Sequence, residues 1–393
     1  MKNAVIVDAL RTPMGRGKAS GSLARTHPVE LLATALGTLT ERNGIDPALI
    51  DDILIGCVGQ VGEQSATPGR MAALAAGFPE HVPSTTIDRK CGSSQQAVHF
   101  AAQGIMAGAY DIVIAGGLES MSRVPMGMAR QGTDPFGPSV TQRYGPGLVG
   151  QGISAELVAA RWSLSRAQLD DYSARSHQRA AQTQREGGFE REIIAIDTDD
   201  GPMRADETIR AQTTADTLAE LKPAFVNDDI QARFPEIGWH ITAGNSSQIT
   251  DGASALLIMS EDRARELGLK PRARFVAFDV IADDPLMMLT APIPATRRAL
   301  KKAGMAPGDI DHFEVNEAFA PVPLAWQAEF GVDDARLNPR GGAIALGHPL
   351  GASGARLMTT MLHALEDSGG RYGLQTMCEA GGMANATIIE RLD

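Results

Sequence analysis

Cysteine is nearly missing from this chain. Cys57, Cys91 and Cys378 are the only three in 393 residues, too few and too scattered for a disulfide framework or a zinc cluster, and no metal site is expected. Basic charge is also short, with 36 Lys and Arg against 47 Asp and Glu and a net charge of −11. So acidic a surface argues against nucleic acid or an anionic membrane as the main partner, but an anionic small molecule needs only a local basic patch. No apolar run reaches the ~18 residues of a membrane span. The amino terminus enters a strand pattern at Ala4-Val-Ile-Val7 with no signal-like stretch, so the expected location is cytoplasmic, without membrane insertion.

Glycine, by contrast, is abundant, with 42 residues and no low-complexity tract, which points to tight turns and close packing. The length suits two or three packed units. Ala4–Val7 reads as a buried strand, His27–Leu39 as a helix with Pro28 in its first turn, and 68–77 as a second helix ended by glycine. Residues 85–94 read as a strand breaking into a turn, followed by an Ala-rich helix to about Ala107. Asp111-Ile-Val-Ile-Ala-Gly-Gly117 reads as a strand from the middle of a sheet. From Ser122 the segment is crowded with Met, Gly, Pro and Arg, then becomes polar and helical, then acidic. Residues 122–249 are therefore expected to be an inserted, mostly solvated domain, with α/β patterning resuming at 253–259 and 272–279.

An internal echo suggests duplication. Gly304–Asn316 repeats the pattern of Gly44–Gly56 at an offset of 260 residues, including Ile50/Ile310 and Asp51/Asp311. The expected units are an N-terminal half (1–121, completed by 250–271), the insert (122–249) and a C-terminal half (272–393).

The densest small-residue stretch is 341–356, with five glycines and four alanines in sixteen residues around one imidazole, His348. It reads as a bare active-site platform, with an incidental histidine in a packed turn as the alternative. Cys91, followed by Gly-Ser-Ser and a helix, lies near a helix N-terminus whose dipole is expected to lower the thiol pKa. Cys57 reads as an inert core residue. Cys378 sits where a strand meets small residues and has the chemistry of a second acid or base. Asn316 places an amide at the end of the second repeat's strand, suited to anchoring an oxyanion or a water.

Cys91-Gly-Ser, Asn316-Glu-Ala-Phe, Gly347-His-Pro and the Cys378 turn, in this order, resemble the thiolase family of acyl-CoA:acetyl-CoA C-acyltransferases. Gly116-Gly-Leu-Glu-Ser-Met-Ser122 and Thr242-Ala-Gly-Asn-Ser-Ser247 extend the likeness over essentially the whole chain. The resemblance implies an α/β, five-layered α/β/α/β/α fold of two duplicated halves, with the insert as a loop domain covering coenzyme A, and a homodimer or homotetramer. It implies Cys91 as the acyl-carrying nucleophile, His348 as its base, Cys378 as the acid or base at the acetyl carbon, and Asn316 holding a water. Backbone N–H groups of Cys91 and Ala380 are implied as the oxyanion site. Arg210, Thr217, Leu221, Phe225, Ala243 and Ser247 are implied as coenzyme A contacts, and Met288 and Phe319 as acyl-pocket positions. Coenzyme A and acyl-CoA enter as substrates, with no permanent cofactor.

Three departures stand out. Ala380 occupies a position where the family commonly has glycine, which puts the oxyanion backbone in question if a positive φ is required. Gly150-Gln151-Gly152 replaces the His-Met-Gly triplet of short-chain acetoacetyl-CoA enzymes. Residues 228–239 look like extra sequence near the expected substrate mouth. The expected activity is that of a degradative 3-ketoacyl-CoA thiolase. The alternatives are a biosynthetic acetoacetyl-CoA thiolase and, more distantly, a CoA- or lipid-binding scaffold; Cys378 argues against the decarboxylating condensing enzymes.

Overall fold

The computed structural model describes residues 2–145 and 147–392; Met1 and Asp393, the outer limits of the two expected halves, lie outside the described residues. β1 (Ala4–Arg11), β2 (Asp52–Gly56), β3 (Ser84–Ile87), β4 (Ile112–Ser120) and β5 (Thr250–Ser260) build one half-sheet in the order β1-β5-β4-β2-β3. β6 (Ala273–Ala282), β7 (His312–Val315), β8 (Tyr372–Glu379) and β9 (Met383–Arg391) build the other in the order β6-β9-β8-β7. The antiparallel and parallel pairings match position for position. A parallel bridge from Phe313 to Leu337 stands where β3 pairs with β2 in the first half. The two half-sheets join edge to edge over only two residue pairs, Val5 with Arg274 and Ile6 with Ala273.

The repeated aspartate has a structural reason. Asp51 Oδ2 accepts from the backbone N–H groups of Asp111 and Ile112 (2.6 and 2.9 Å). Asp311 Oδ2 accepts from those of Arg371 and Tyr372 (2.7 and 2.9 Å). Each one ties the turn before its strand to the start of the parallel neighbour, so β2 lies against β4 and β7 against β8 in the same register.

Successive residues along the central strands serve different cores. On β4, Ile112 and Ile114 face one core, which contains Leu31, Leu36 and Ala72 from α1 (Pro28–Arg42) and α2 (Pro68–Ala75). Val113 and Ala115 face a second core, made by α3 (Ser93–Ala107) and the last long helix, Ser353–Ser368. That middle core also takes Phe275 and Ile389 from the other half-sheet. Burial on both faces explains the uninterrupted apolar runs. The far face of the second half-sheet is covered by two helices, Pro292–Ala303 and Pro321–Phe330. Helix, sheet, helix, sheet, helix gives the expected five layers.

Between β4 and β5 the chain forms α4 (Gln151–Arg161) and α5 (Arg166–Arg185). We label Pro292–Ala303 α6, Pro321–Phe330 α7 and Ser353–Ser368 α8. Most of 122–249 is exposed or half-buried, as expected, but α4 and one face of α5 are not. Residues 152–159 of α4 are all buried, and Ala155, Val158, Leu169 and Tyr172 belong to the core of the second half. Their polar neighbours are spent on tertiary bonds, which is why the sequence looked solvated. Glu156 accepts from His240 and Ile241 N–H groups (2.9 and 2.7 Å), and Tyr172 donates to Glu317 (2.8 Å).

In the middle layer, α3 and α8 cross at their N-termini. Ala355 N–H donates to Ser94 Oγ (2.9 Å), and a Cβ added at Gly354 would lie 2.3 Å from the backbone nitrogen of Gln95. Gly354→Ala must therefore push the helices apart, at a cost of about 1–3 kcal/mol. Thermal unfolding should show Tm lowered by several degrees; an unchanged Tm would mean that the crossing is loose.

Candidate active site

The crossing sets the site, because each helix is entered from a turn that carries one reactive side chain. Cys91 lies in the turn from β3 into α3. Asp88 accepts from Lys90 N–H (2.8 Å), Lys90 takes a left-handed backbone (φ +49°), and Ser93 opens the helix. The thiol is buried. Its own N–H, the Gln151 side chain and the Ala380 N–H lie near enough to the sulfur to favour its thiolate. The two backbone donors expected at the oxyanion site thus both converge on the Cys91 sulfur.

The expected lowering of the Cys91 pKa does not hold. Burial, and then Glu379 once it is ionised, push the thiol up to about 12. The helix dipole acts only over the first turn, and desolvation outweighs it. Cys378, near the end of β8, is raised well above its ordinary value by burial, then by Cys91 and Glu379. Cys57 is raised as well, by burial first and then Glu119, and stands as the core residue expected.

Ala380 has no positive φ; Gly381 (φ +91°) and Gly382 (φ +79°) absorb the left-handed turn after it. The alanine therefore presents its N–H from ordinary backbone.

His348 enters from the other side, between Gly347 (φ +90°) and Pro349. Its N–H lies 3.0 Å from Thr250 Oγ1 and 3.1 Å from the Gln248 carbonyl. Ring Nδ1 is 2.6 Å from Ser353 Oγ, and that hydroxyl donates to the Pro349 carbonyl (2.9 Å). With its one proton committed, Ser353 accepts from Nδ1–H, which assigns the lone pair to Nε2. Asn316 Nδ2 stands 3.5 Å from Nε2, and Asn316 Oδ1 has no partner among the described residues. Burial, then the nearby Arg356, lowers the imidazole to about 3, so it is a neutral acceptor at ordinary pH.

Asn316 directly follows β7 and lies beside the strand of Cys378, since Asn316 N–H donates to the Thr376 carbonyl (3.0 Å). Leu350 packs with Cys91, Leu357 and Met377 in one small cluster, which brings the His348 turn against the Cys91 turn. Glu317 locks the rest. It accepts from Tyr172, from Ser176 (2.7 Å), from Asn338 (3.1 Å) and from Ile344 N–H (3.1 Å), clamping α5 and the small-residue stretch onto the Asn316 loop.

The expected coenzyme A residues all fall in the 208–248 segment. Arg210 is exposed, with its guanidinium 3.3 Å from Gln248 Oε1. Thr217 is exposed in a short helix, and Leu221, also exposed, closes over Gly244 beside the exposed Ala243. Ser247 N–H donates to the Ala318 carbonyl (3.0 Å). Phe225 meets Phe319 edge to face at 6.3 Å, over Gly152, where a Cβ would lie 2.4 Å from the ring. Met288 is buried in the same core as Phe319 and takes a positive φ of +48°. The extra segment forms a short helix, Asp228–Arg233, and joins Ile237, Phe234 and Trp239 to Ile153, Leu157 and Phe225.

Models of the thiolase N-terminal and C-terminal domains match residues 4–262 and 269–391. The chain belongs to the thiolase family. It is 50% identical to the steroid 3-ketoacyl-CoA thiolase FadA6 of Mycobacterium tuberculosis, over 100% of this chain and 95% of that protein. It is 45% identical to a 3-ketoacyl-CoA thiolase of Pseudoalteromonas translucida, over the full length of both. The crystal structure of the Bacillus anthracis acetyl-CoA acetyltransferase superposes with a TM-score of 0.88 at 35% identity, covering 100% of this chain and 99% of that one.

Residue reading missed Ser353, Glu317 and Arg356 and did not place Gln151 on the thiol. Ser353, five residues past His348 in a run opening a helix, was the one with a local signal. Ser353→Ala removes the acceptor that fixes the imidazole tautomer and should lower kcat by roughly 10- to 100-fold, about 1.4–2.7 kcal/mol of barrier, with KM little changed. Unchanged kcat would show that the tautomer is held by other means. Ala380→Gly should alter turnover less than about tenfold, because the donor N–H is retained; a gain beyond about a hundredfold in the same steady-state assay would show that alanine compromises the site.

Proposed function

We propose that the chain is a degradative 3-ketoacyl-CoA thiolase, converting 3-oxoacyl-CoA and CoA into a shortened acyl-CoA and acetyl-CoA. The observation that carries this reading is the grouping of a buried thiol near two backbone donors, a second thiol on β8, and a neutral imidazole beside an amide. The proton on Cys91 passes to His348 Nε2 as the sulfur attacks the 3-oxo carbon. Positive charge on the imidazole and the amide of Asn316 offset the developing oxyanion. Breaking the carbon–carbon bond leaves the acyl group on Cys91, its oxygen held by the N–H groups of Cys91 and Ala380, and releases the enolate of acetyl-CoA. Cys378 protonates that enolate. A second CoA thiol attacks the acyl-thioester, its proton restores Cys378, and the displaced Cys91 thiolate recovers its proton from His348.

Arg210, Thr217, Leu221, Phe225, Ala243 and Ser247 are proposed to line the coenzyme path under the 122–249 segment, which acts as the cover. Met288 and Phe319 are proposed for the acyl side. Binding CoA and acyl-CoA as substrates without a permanent cofactor, forming a homodimer or homotetramer, and working in the cytoplasm belong to the same proposal; among the described residues no helix is long and apolar enough to cross a membrane.

Substrate size follows from two features. Gln151 replaces a methionine against the nucleophile, and residues 228–239 add an apolar wall beside Phe225. Medium-chain or bulky 3-oxoacyl-CoAs, fatty or steroid-derived, should therefore have a higher kcat/KM than acetoacetyl-CoA in a thiolysis series. The likeness to an acetyl-CoA acetyltransferase supports the short-chain reading instead, and acetoacetyl-CoA as best substrate would select it.

The division of labour between the thiols is separable. Cys91→Ala should abolish acyl transfer and carbon–carbon chemistry together. Cys378→Ala should still carry acetyl from acetyl-CoA to another thiol, while losing thiolysis and solvent exchange of acetyl methyl protons by roughly 10²–10⁴-fold. Parallel loss of both activities in folded protein would contradict these roles.

A further inference from the structure

Strand register lays one half over the other. Val315 is the repeat of Ile55, and Thr376 pairs with Val315 as Gly116 pairs with Ile55. Cys378 and Glu379 therefore correspond to Leu118 and Glu119. The two glutamates occupy the same place and have opposite surroundings. Glu119 accepts from the N–H groups of Val58 (3.0 Å), Gly59 (2.9 Å) and Gly351 (2.8 Å) and from Gln64 Nε2 (3.0 Å), and so braces the turn that carries His348.

Glu379 abuts the matching turn that carries Cys91. A Cβ on Gly92 would lie 1.9 Å from its Oε1. With the Asn385 amide oriented to satisfy both neighbours, its Nδ2 donates to Glu379 Oε1 (2.6 Å) and its oxygen accepts from Gln96 N–H (3.3 Å). Oε2 has no partner among the described residues, although the side chain is wholly buried. A buried ionised carboxylate oxygen without a donor carries a large desolvation cost, which protonation relieves. The groups facing it are Arg89 and Cys91 from the turn before α3, Gln96 from α3, Cys378 on its own strand and Asn385 on β9. The Arg89 guanidinium leans on Met383 sulfur (3.9 Å).

We propose that Glu379 is a positioning residue for the two thiols: it stands protonated in the resting enzyme, and its ionisation in alkaline solution suppresses thiolate formation at Cys91 and Cys378. This rests on the reading of Cys91 and Cys378 as the reacting thiols. Burial raises the carboxyl to about 8 against the pull of Arg89. Below that point the group is neutral and repels neither thiolate; above it, the new negative charge opposes both.

The test is the rate of iodoacetamide alkylation at Cys91, followed by peptide mass spectrometry from about pH 6 to about pH 10. It needs no turnover, so a wrong substrate assignment leaves it readable; acetyl labelling of Cys91 from acetyl-CoA tests that assignment separately. In the native enzyme the rate should climb with pH and then bend over above about pH 8. Glu379→Gln should match it at low pH and keep climbing, reaching roughly tenfold faster alkylation near pH 9.5, a coupling of about one pK unit. Arg89→Gln, a change outside the core, should move the bend to higher pH by removing the charge that favours the carboxylate. Superimposable Glu379→Gln and native profiles would overturn the proposal. Should Glu379→Gln fail to fold, an unmoved bend in Arg89→Gln would overturn it on its own.

Discussion

Everything in the site depends on two helix N-termini meeting back to back in the middle layer. The contact works only because Gly354 has no side chain where it meets Gln95, and because Ser94 offers its hydroxyl to Ala355 N–H. Neither helix carries the reactive group itself. Each is entered through a turn, and the crossing fixes both turns against β7 and β8, where Asn316 and Cys378 stand. A shift of the crossing would therefore move Cys91 relative to His348 before it disturbed either helix.

The same burial that makes the site rigid sets its electrostatics. Both thiols are raised and His348 is lowered, each with desolvation as the leading cause. The resting centre is thus a set of neutral donors and acceptors, with no thiolate–imidazolium pair waiting. The N–H groups of Cys91 and Ala380 already stand at the Cys91 sulfur, and preorganised dipoles in a dry site act strongly on any charge that develops beside them. Ser353 matters for the same reason: in a water-poor pocket the tautomer of His348 is decided by one hydroxyl.

Duplication supplied the frame and divergence supplied the chemistry. Asp51 and Asp311 do identical work in the two halves, whereas Cys378 stands where the first half has Leu118, and Glu379, with one oxygen unbonded, where it has the fully bonded Glu119. The turn before the middle helix carries a cysteine in one half and a histidine in the other. One active site results because the two halves face each other across that layer.

Much of this was legible in the chain. The uninterrupted apolar run at 111–117, the 260-residue echo and the motifs around Cys91, Asn316, His348 and Cys378 are local or repeated signals; they carried the duplicated α/β units and the resemblance to the family, which in turn implied the five layers and the residues with suitable chemistry. What the linear chain could not decide is which distant groups share a desolvated space. The direction of the Cys91 pKa came out opposite to the local helix argument, because Glu379 and the burying layers arrive from nearly three hundred residues away. Polar helices 151–185 looked solvated, because their partners at 240, 241 and 317 are remote in sequence. Gln151 on the nucleophile, the tautomer of His348 and the bare oxygen of Glu379 depend on tertiary contact alone: sequence fixes what a side chain can do, and the packing around it decides in which charge state it does it.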